Sequence, residues 1–189
     1  MRTSPLATVL VGLAATHTCV CEHNRITVAV YNYAAVPDGV LRSAVNTARR
    51  AFGPSHVETQ WVICDPDACR EPLAPGSFLE LILLPRVEER LCNGRVVYPA
   101  GYALHGHDDR QRAYASYRAA QQAAAWTVRP VELALACILI HEAGHLLGLG
   151  HQAHGAMRAN LDARDMDDAI RGKAFSAAEG EILRAAVKR

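Results

Sequence analysis

An apolar run long enough to span a membrane and an excess of charge of one sign are two features that this sequence lacks. Its 20 Lys and Arg residues nearly balance 19 Asp and Glu residues, which leaves a formal net charge of +1. No basic stripe is visible, so we do not expect nucleic acid as the main partner. No apolar span of about 20 residues occurs, so we expect no membrane-spanning helix in the body of the protein.

The N-terminus is where the composition departs from that of an ordinary globular chain. Arg2 precedes a short apolar stretch over residues 6–15 that closes on small residues. This pattern is typical of a secretory signal peptide, with cleavage between Ala15 and Thr18. We therefore predict a signal peptide over residues 1–18, a single domain over residues 19–189 and a secreted or periplasmic location. A buried N-terminal helix is the alternative interpretation.

Cysteine usage agrees with export. Six cysteines in 189 residues suit an oxidising compartment. Cys64 and Cys69 flank a turn-forming Asp-Pro-Asp-Ala insert that can bring the two sulfurs together, so a disulfide is predicted there. The pairing of the cysteines nearer the N-terminus and of Cys92 stays open. Cys137 lies in an apolar helical stretch, where a thiol more often simply packs in the core.

The first half of the sequence alternates strand and helix patterns. Residues 26–33 and 57–63 are rich in β-branched and aromatic side chains, and they predict two strands. Between them a helical pattern opens at Pro37 and ends before Gly53. Residues 78–84 are apolar enough for a central strand. Strand, helix and strand in this order predict a crossover connection onto a partly parallel sheet.

The middle of the sequence is less regular. Short extended segments are predicted over residues 96–98 and 101–104, and a better strand over residues 112–118. A polar turn that contains His105, His107 and Asp108 offers a second metal site, although a solvated loop is the simpler interpretation. Further on, a long apolar helix is predicted from Pro130 to Leu147, with one face towards the sheet. A capping box from Ser176 to Glu179 opens the last helix.

The strongest chemical signal lies at the end of the long apolar helix. His141 and His145 are four residues apart, so in a helix both imidazoles point the same way and can reach one divalent ion. Gly148 can turn out of the helix without steric cost and bring His151 back as a third ligand. Three protein ligands with a fourth position left for water are the pattern of a catalytic zinc site. Glu142, beside the first ligand, is placed to take a proton from that water.

Residues 141–151 fit the pattern H-E-x-x-H-x-x-G-x-x-H, and here the chain resembles the metzincin zinc endopeptidases, nearest to bacterial matrixin-like proteins. The resemblance implies an α+β fold (α/β-type zincin) with a twisted mixed sheet, a helix after the first strand, a long active-site helix and a C-terminal helix. It also implies that Met157 forms a Met-turn beneath the metal. Finally, it implies an antiparallel edge strand, which we place near residues 101–104, beside which extended substrates bind.

The expected function is zinc-dependent hydrolysis of peptide bonds in a protein or peptide substrate, with Zn²⁺ held by the three histidines and Glu142 as general base. One alternative is a secreted zinc-containing binding module without turnover. Another is a zinc-dependent endoribonuclease, although such enzymes generally lack the glutamate. His154 competes with His151 as third ligand, but the G-x-x-H spacing favours His151. The sequence leaves the oligomeric state open.

Overall fold

A mixed β-sheet is the frame on which the helices of this protein are arranged. The computed structural model describes residues 25–64, 78–87, 90–92, 95–97, 100–105 and 111–187. Within these ranges the elements in chain order are β1 (Arg25–Asn32), α1 (Asp38–Phe52), β2 (Glu58–Cys64), β3 (Phe78–Leu84), β4 (Arg90–Cys92), β5 (Arg95–Val97), β6 (Gly101–His105), β7 (Gln111–Ser116), α2 (Tyr117–Thr127), α3 (Val131–Leu146), α4 (Ala163–Ile170) and α5 (Ala177–Val187).

The strand order explains which part of the sheet meets the site. Five strands form one sheet in the order β2-β1-β3-β7-β6, and β4 pairs with β5 in a separate hairpin. Strands β1, β2, β3 and β7 run parallel to one another, whereas β6 runs antiparallel to β7 at the edge. The apolar strand β3 is central, as its composition predicts. The expected antiparallel edge strand is also confirmed, and so is the mixed α/β fold class.

Helix α2 was not predicted from the sequence, and neither was the short strand β4. The strand expected over residues 112–118 ends at Ser116, so its last two residues were assigned wrongly. The Ser116 side chain accepts a hydrogen bond from the amide of Ala119 and thereby caps α2. Only Ala120 and Ala124 of this helix are buried, so an apolar stripe with helical period is hardly visible in its sequence.

Helix α3 forms the centre of the core. Twelve consecutive residues from Leu133 to Gly144 are buried, so the helix has no solvent-facing side over that length. It packs against α1 and α2 and against strands β3, β6 and β7. At Gly144, a Cβ built on the backbone would meet the side chain of Met157, so the loop after the turn packs closely on this part of the helix. The helix begins at Val131, directly after Pro130, whose ring suits a helix start.

The last two helices begin with the side-chain caps that their sequences indicate. Asp162 accepts hydrogen bonds from the first turn of α4 and forms a capping box with Asp165. Ser176 and Glu179 bond reciprocally at the start of α5, which confirms the predicted capping box. Each cap satisfies amide groups that the helix itself leaves without partners.

Several predictions concern residues outside the described ranges. These are the signal peptide over residues 1–18, the Cys69 half of the expected disulfide, and His107 and Asp108 of the alternative metal site. They remain predictions. Cys137 is buried in the core, as expected. No helix within the described part of the chain is both long and apolar enough to cross a membrane.

Candidate metal centre

The two helical histidines are oriented by backbone carbonyls that follow them in the sequence. The Nδ1 atom of His141 donates to the carbonyl oxygen of Ala156 at 2.8 Å, and that of His145 donates to Leu149 at the same distance. A carbonyl oxygen can only accept, so both Nδ1 atoms carry the proton. The two Nε2 atoms are therefore the ring nitrogens that can bind a metal. A metal-binding histidine usually donates the N–H of its other ring nitrogen to an acceptor of this kind.

A turn after α3 brings the third histidine to the other two. Gly148 has a φ of +89°, a conformation that favours glycine, and the amide of Leu149 donates back to the carbonyl of Gly144 at 2.9 Å. The chain then reverses, and the ring of His151 lies 5.2 Å from that of His141 between centroids. One ligand nitrogen from each of the three histidines lies within 4.8 Å of the others. The structure thus assembles the predicted triad, and this triad can hold a metal ion.

The two Nε2 atoms test whether a cation suits this position. They lie 3.0 Å apart. Burial lowers the pKa of His141 to about 4, so at neutral pH its ring is uncharged and has no second proton to share. The His141 Nε2 atom can therefore bind a cation, and the Nε2 atom of His145 is placed to bind the same one. Tetrahedral zinc, with Zn–N distances of about 2.0–2.1 Å, holds its ligand nitrogens about 3.3 Å apart, so the residues present fit zinc.

Glu142 is buried beside the triad, and part of its carboxylate has no hydrogen-bond partner. The residue is 2% exposed, and its Oε2 atom has no partner among the described residues. Burial raises the pKa of Glu142 to about 8. Its Oε1 atom lies against the backbone of Gly101 in β6. A buried carboxylate without partners is costly in free energy, and such groups in a cleft are typical of functional sites.

A cleft of about 510 Å³ runs between the edge strand and the triad. Its lining combines strand β6 with the ligands and the turn after α3: Gly101, Tyr102, Ala103, His141, Glu142, His145, Gly148, Leu149, Gly150 and His151. The ring of Tyr102 stacks on that of Tyr114 at 4.8 Å, which anchors the strand side of the cleft. The contact between Gly101 and Glu142 was not predicted from the sequence. The only feature of the sequence that could have indicated this contact was a glycine in the expected edge strand.

The remaining predicted site residues fall in different places. Met157 is fully buried, and its sulfur lies against Gly144, within the ligand-bearing part of α3. His154 is exposed and lies outside the triad, on the wall of a second pocket with Arg158 and Asp165. Among the described residues, the triad is the only group of three His, Cys, Asp or Glu side chains that is placed to hold a metal.

A mixed sheet with an antiparallel edge strand, beside a helix that carries H-E-x-x-H, is the arrangement that the metzincin resemblance implied. Among the solved structures similar to this chain is archaemetzincin (amzA) from Methanopyrus kandleri. That structure has 17% sequence identity and a TM-score of 0.56, and the match covers 90% of this chain and 99% of that one. At this identity the likeness establishes the fold alone. No family model and no curated protein matches the sequence.

This likeness corrects one prediction. The sequence was expected to be nearest to matrixin-like proteins, but the structural neighbour is an archaemetzincin. The eleven-residue motif does not distinguish between metzincin branches, because it specifies only the zinc ligands, the base and the turn glycine. The coarser prediction, a mixed α/β fold that brings the three histidines together, is confirmed, and the fold is similar to that of archaemetzincin.

Proposed function

We propose that this protein is a zinc-dependent endopeptidase in which His141, His145 and His151 hold Zn²⁺ and Glu142 is the general base. One observation carries the proposal. One ligand nitrogen from each of the three histidines lies within 4.8 Å of the others, and the buried side chain of Glu142, next to His141 in the helix, borders the same open cleft. A purely structural zinc site is usually closed by four protein ligands, whereas the described residues bring three together here.

The chemistry divides between the ion and the protein. Bound zinc supplies Lewis acidity, which lowers the pKa of a coordinated water and polarises the scissile carbonyl. Glu142 accepts the proton of the attacking water at its carboxylate and then delivers it to the nitrogen of the leaving amine. The carboxylate must be ionised for the first step. Burial opposes ionisation, but a dication next to the group favours it, so metal binding prepares the base.

The edge strand supports a protein or peptide as substrate. Strand β6 pairs only with β7 among the described strands, so its outer edge can accept an extended peptide as an additional strand. The turn residues between Gly148 and His151 form the opposite wall of the cleft. A peptide held along β6 therefore passes beside the triad and Glu142.

The lining of the cleft favours cleavage within a chain over removal of terminal residues. An exopeptidase needs a charged side chain to hold the terminal carboxylate or the terminal ammonium of its substrate. Among the described lining residues there is no Lys or Arg, and the only acidic side chain is that of Glu142. Tyr102, Ala103 and Leu149 instead offer apolar contacts that suit internal residues.

We also propose that the protein acts outside the cytoplasm, in the medium or the periplasm. The basis is the apolar N-terminal stretch over residues 6–15 and the six cysteines. Expression of the full-length chain followed by mass measurement of the exported product tests this. Export with loss of about 15 to 18 residues supports it, and a full-length product that stays in the cytoplasm contradicts it.

The decisive experiment is digestion of denatured casein by the purified protein. We expect proteolysis that a chelator abolishes and added zinc restores. Glu142→Gln should bind zinc like the unaltered protein and lose about 10²-fold or more of the rate, the usual minimum contribution of a general base. Zinc binding by the unaltered protein without cleavage of casein would favour the binding module instead. Cleavage of RNA but not casein would favour the endoribonuclease.

A further inference from the structure

The loop between His151 and α4 carries the partner of the first ligand. The carbonyl of Ala156 accepts the hydrogen bond from His141 Nδ1, so the position of this loop decides the orientation of that imidazole. The loop is held on both sides of this carbonyl. The amide of Ala156 donates to the carbonyl of Ala174 at 2.9 Å, and the amide of Gln152 donates to that of Met157 at 2.9 Å.

Asp165 supplies the remaining bond to the loop. It lies in the first turn of α4 and is 5% exposed. One carboxylate oxygen, Oδ2, accepts from the amide of Asp162 at 3.1 Å, which completes the capping box. The other oxygen, Oδ1, accepts from the amide of Gly155 at 3.1 Å, ten residues away in the chain. A capping box requires only the first of these bonds, so the second is an additional link between α4 and the metal centre.

The backbone at Gly155 has little freedom to compensate for loss of that bond. Gly155 has a φ of +75°, and a Cβ there would lie 2.8 Å from the carbonyl oxygen of Ala174. The segment is thus packed closely against the chain before α5. Arg158 lies 3.3 Å from Asp165 and partly neutralises the buried carboxylate. The ionised acceptor makes the bond to Gly155 charge-assisted, and therefore stronger than a neutral one.

We propose that Asp165 is a positioning residue for the metal centre, which acts through Gly155 and Ala156 to fix the imidazole of His141. This inference rests on the proposed function only in that the triad binds zinc. Asp165 touches neither the metal ligands nor the cleft lining. Its effect passes along the chain from the Gly155 amide to the Ala156 carbonyl, and from that carbonyl to the ring.

The test compares Asp165→Ala with Asp165→Asn and with a matched control on the same helix. Asp167→Ala removes a carboxylate of the same charge that pairs with Arg129 and makes no bond to the loop. Zinc affinity is measured by competition with a chromogenic chelator, and the geometry of the site by the visible spectrum of the Co²⁺-substituted protein. Melting temperatures of the metal-free proteins report stability separately.

We expect Asp165→Ala to weaken zinc binding by about 10- to 100-fold, the range typical of outer partners of metal ligands, and to alter the Co²⁺ spectrum. Asp165→Asn retains an oxygen that can accept from Gly155, so its loss should be smaller. Asp167→Ala should bind zinc like the unaltered protein even where its melting temperature falls. If Asp165→Ala does not yield folded protein, the inference is tested on Asp165→Asn alone. It then requires that this variant alters the Co²⁺ spectrum.

Two results would overturn the inference. One is unchanged zinc affinity and an unchanged Co²⁺ spectrum in both Asp165 variants. The other is an equal loss of affinity in Asp167→Ala, which would mean that general destabilisation is the cause. Neither readout needs peptidase activity. A protein that binds zinc with the expected ranking of variants but cleaves no peptide would therefore refute the proposed function and leave the role of Asp165 intact.

Discussion

The carboxylate of Glu142 lies directly against Gly101 of the edge strand. A Cβ built on Gly101 would collide with Glu142 Oε1 and with the carbonyl oxygen of Tyr114. The absence of a side chain at this position is therefore what lets the carboxylate reach the border of the cleft. The contact joins the helix that carries the ligands to the strand beside which the substrate is proposed to bind.

Gly101→Ala should consequently displace the base without removing a metal ligand. We expect kcat/KM for a peptide to fall by about 100-fold, because a shift of about 1 Å in a reacting group can have that effect. Zinc affinity should stay close to that of the unaltered protein. Gly39→Ala is the matched control, since a Cβ at Gly39 has no atom within 4 Å. Unchanged kcat/KM in a folded Gly101→Ala protein would refute the proposed placement of Glu142.

The identity of the third ligand can be decided by two single variants. His151→Ala should weaken zinc binding by at least about 100-fold, since loss of an outer partner alone can weaken it by 10- to 100-fold. His154→Ala should have no effect, because His154 is exposed and lies outside the triad. Competition with a chromogenic chelator measures both affinities. The reverse ranking of the two variants would mean that the chain turns differently after Gly150.

The raised pKa of Glu142 predicts how the stability of the metal-free protein depends on pH. The unfolded chain releases the carboxyl proton near pH 4.5, whereas the folded protein keeps it up to about pH 8. Stability is therefore lost as the pH rises through this window, and the loss is complete above it. Glu142→Gln has no such proton. We therefore expect the free energy of unfolding of Glu142→Gln, relative to that of the unaltered protein, to increase between pH 5 and pH 8.

Urea unfolding in the presence of chelator measures this difference at each pH. The contribution of His141, whose pKa is lowered, is common to both proteins and cancels in the comparison. Parallel pH profiles for Glu142→Gln and the unaltered protein would show that the carboxylate is better solvated than its 2% exposure indicates.

The contact between Gly144 and Met157 predicts a non-additive pair of substitutions. Gly144→Ala should destabilise the protein despite the better helix propensity of alanine, because the buried Met157 sulfur lies where the new methyl group would be. Met157→Ala should cost about 2–5 kcal/mol through loss of burial and the cavity left behind. In the double variant the new methyl group enters that cavity, so the combined loss should be smaller than the sum. Denaturant unfolding of all four proteins measures the coupling, and strict additivity would contradict it.

The meeting of the three histidines beside Glu142 could be predicted from the sequence because local geometry relates these residues. Glu142 and the first two histidines lie within one and a half turns of a helix, and one glycine turn returns His151. Strands β1, β2, β3, β6 and β7 and the last helix were also predicted, since their residue patterns and caps are local signals. Helix α2 was missed because its few buried residues are alanines.

Contacts between distant parts of the chain could not be predicted in the same way. The sequence contains Gly101 and Asp165, but nothing near either residue indicates what it touches. Gly101 meets Glu142 only because the sheet order places β6 next to α3. Asp165 meets Gly155 only because the loop folds back onto the start of α4. Both contacts depend on the assembled fold rather than on spacing in the chain.

The burial of α3 bears on when the proposed site can form during synthesis of the chain. The contacts that bury this helix come from the sheet, from α1 and α2 and from α4. An incomplete chain that ends before Ala156 has no carbonyl to orient His141 and no Met157 beside Gly144. Under the proposed function, a nascent or partly unfolded molecule can therefore be cleaved but cannot yet cleave, which limits self-digestion.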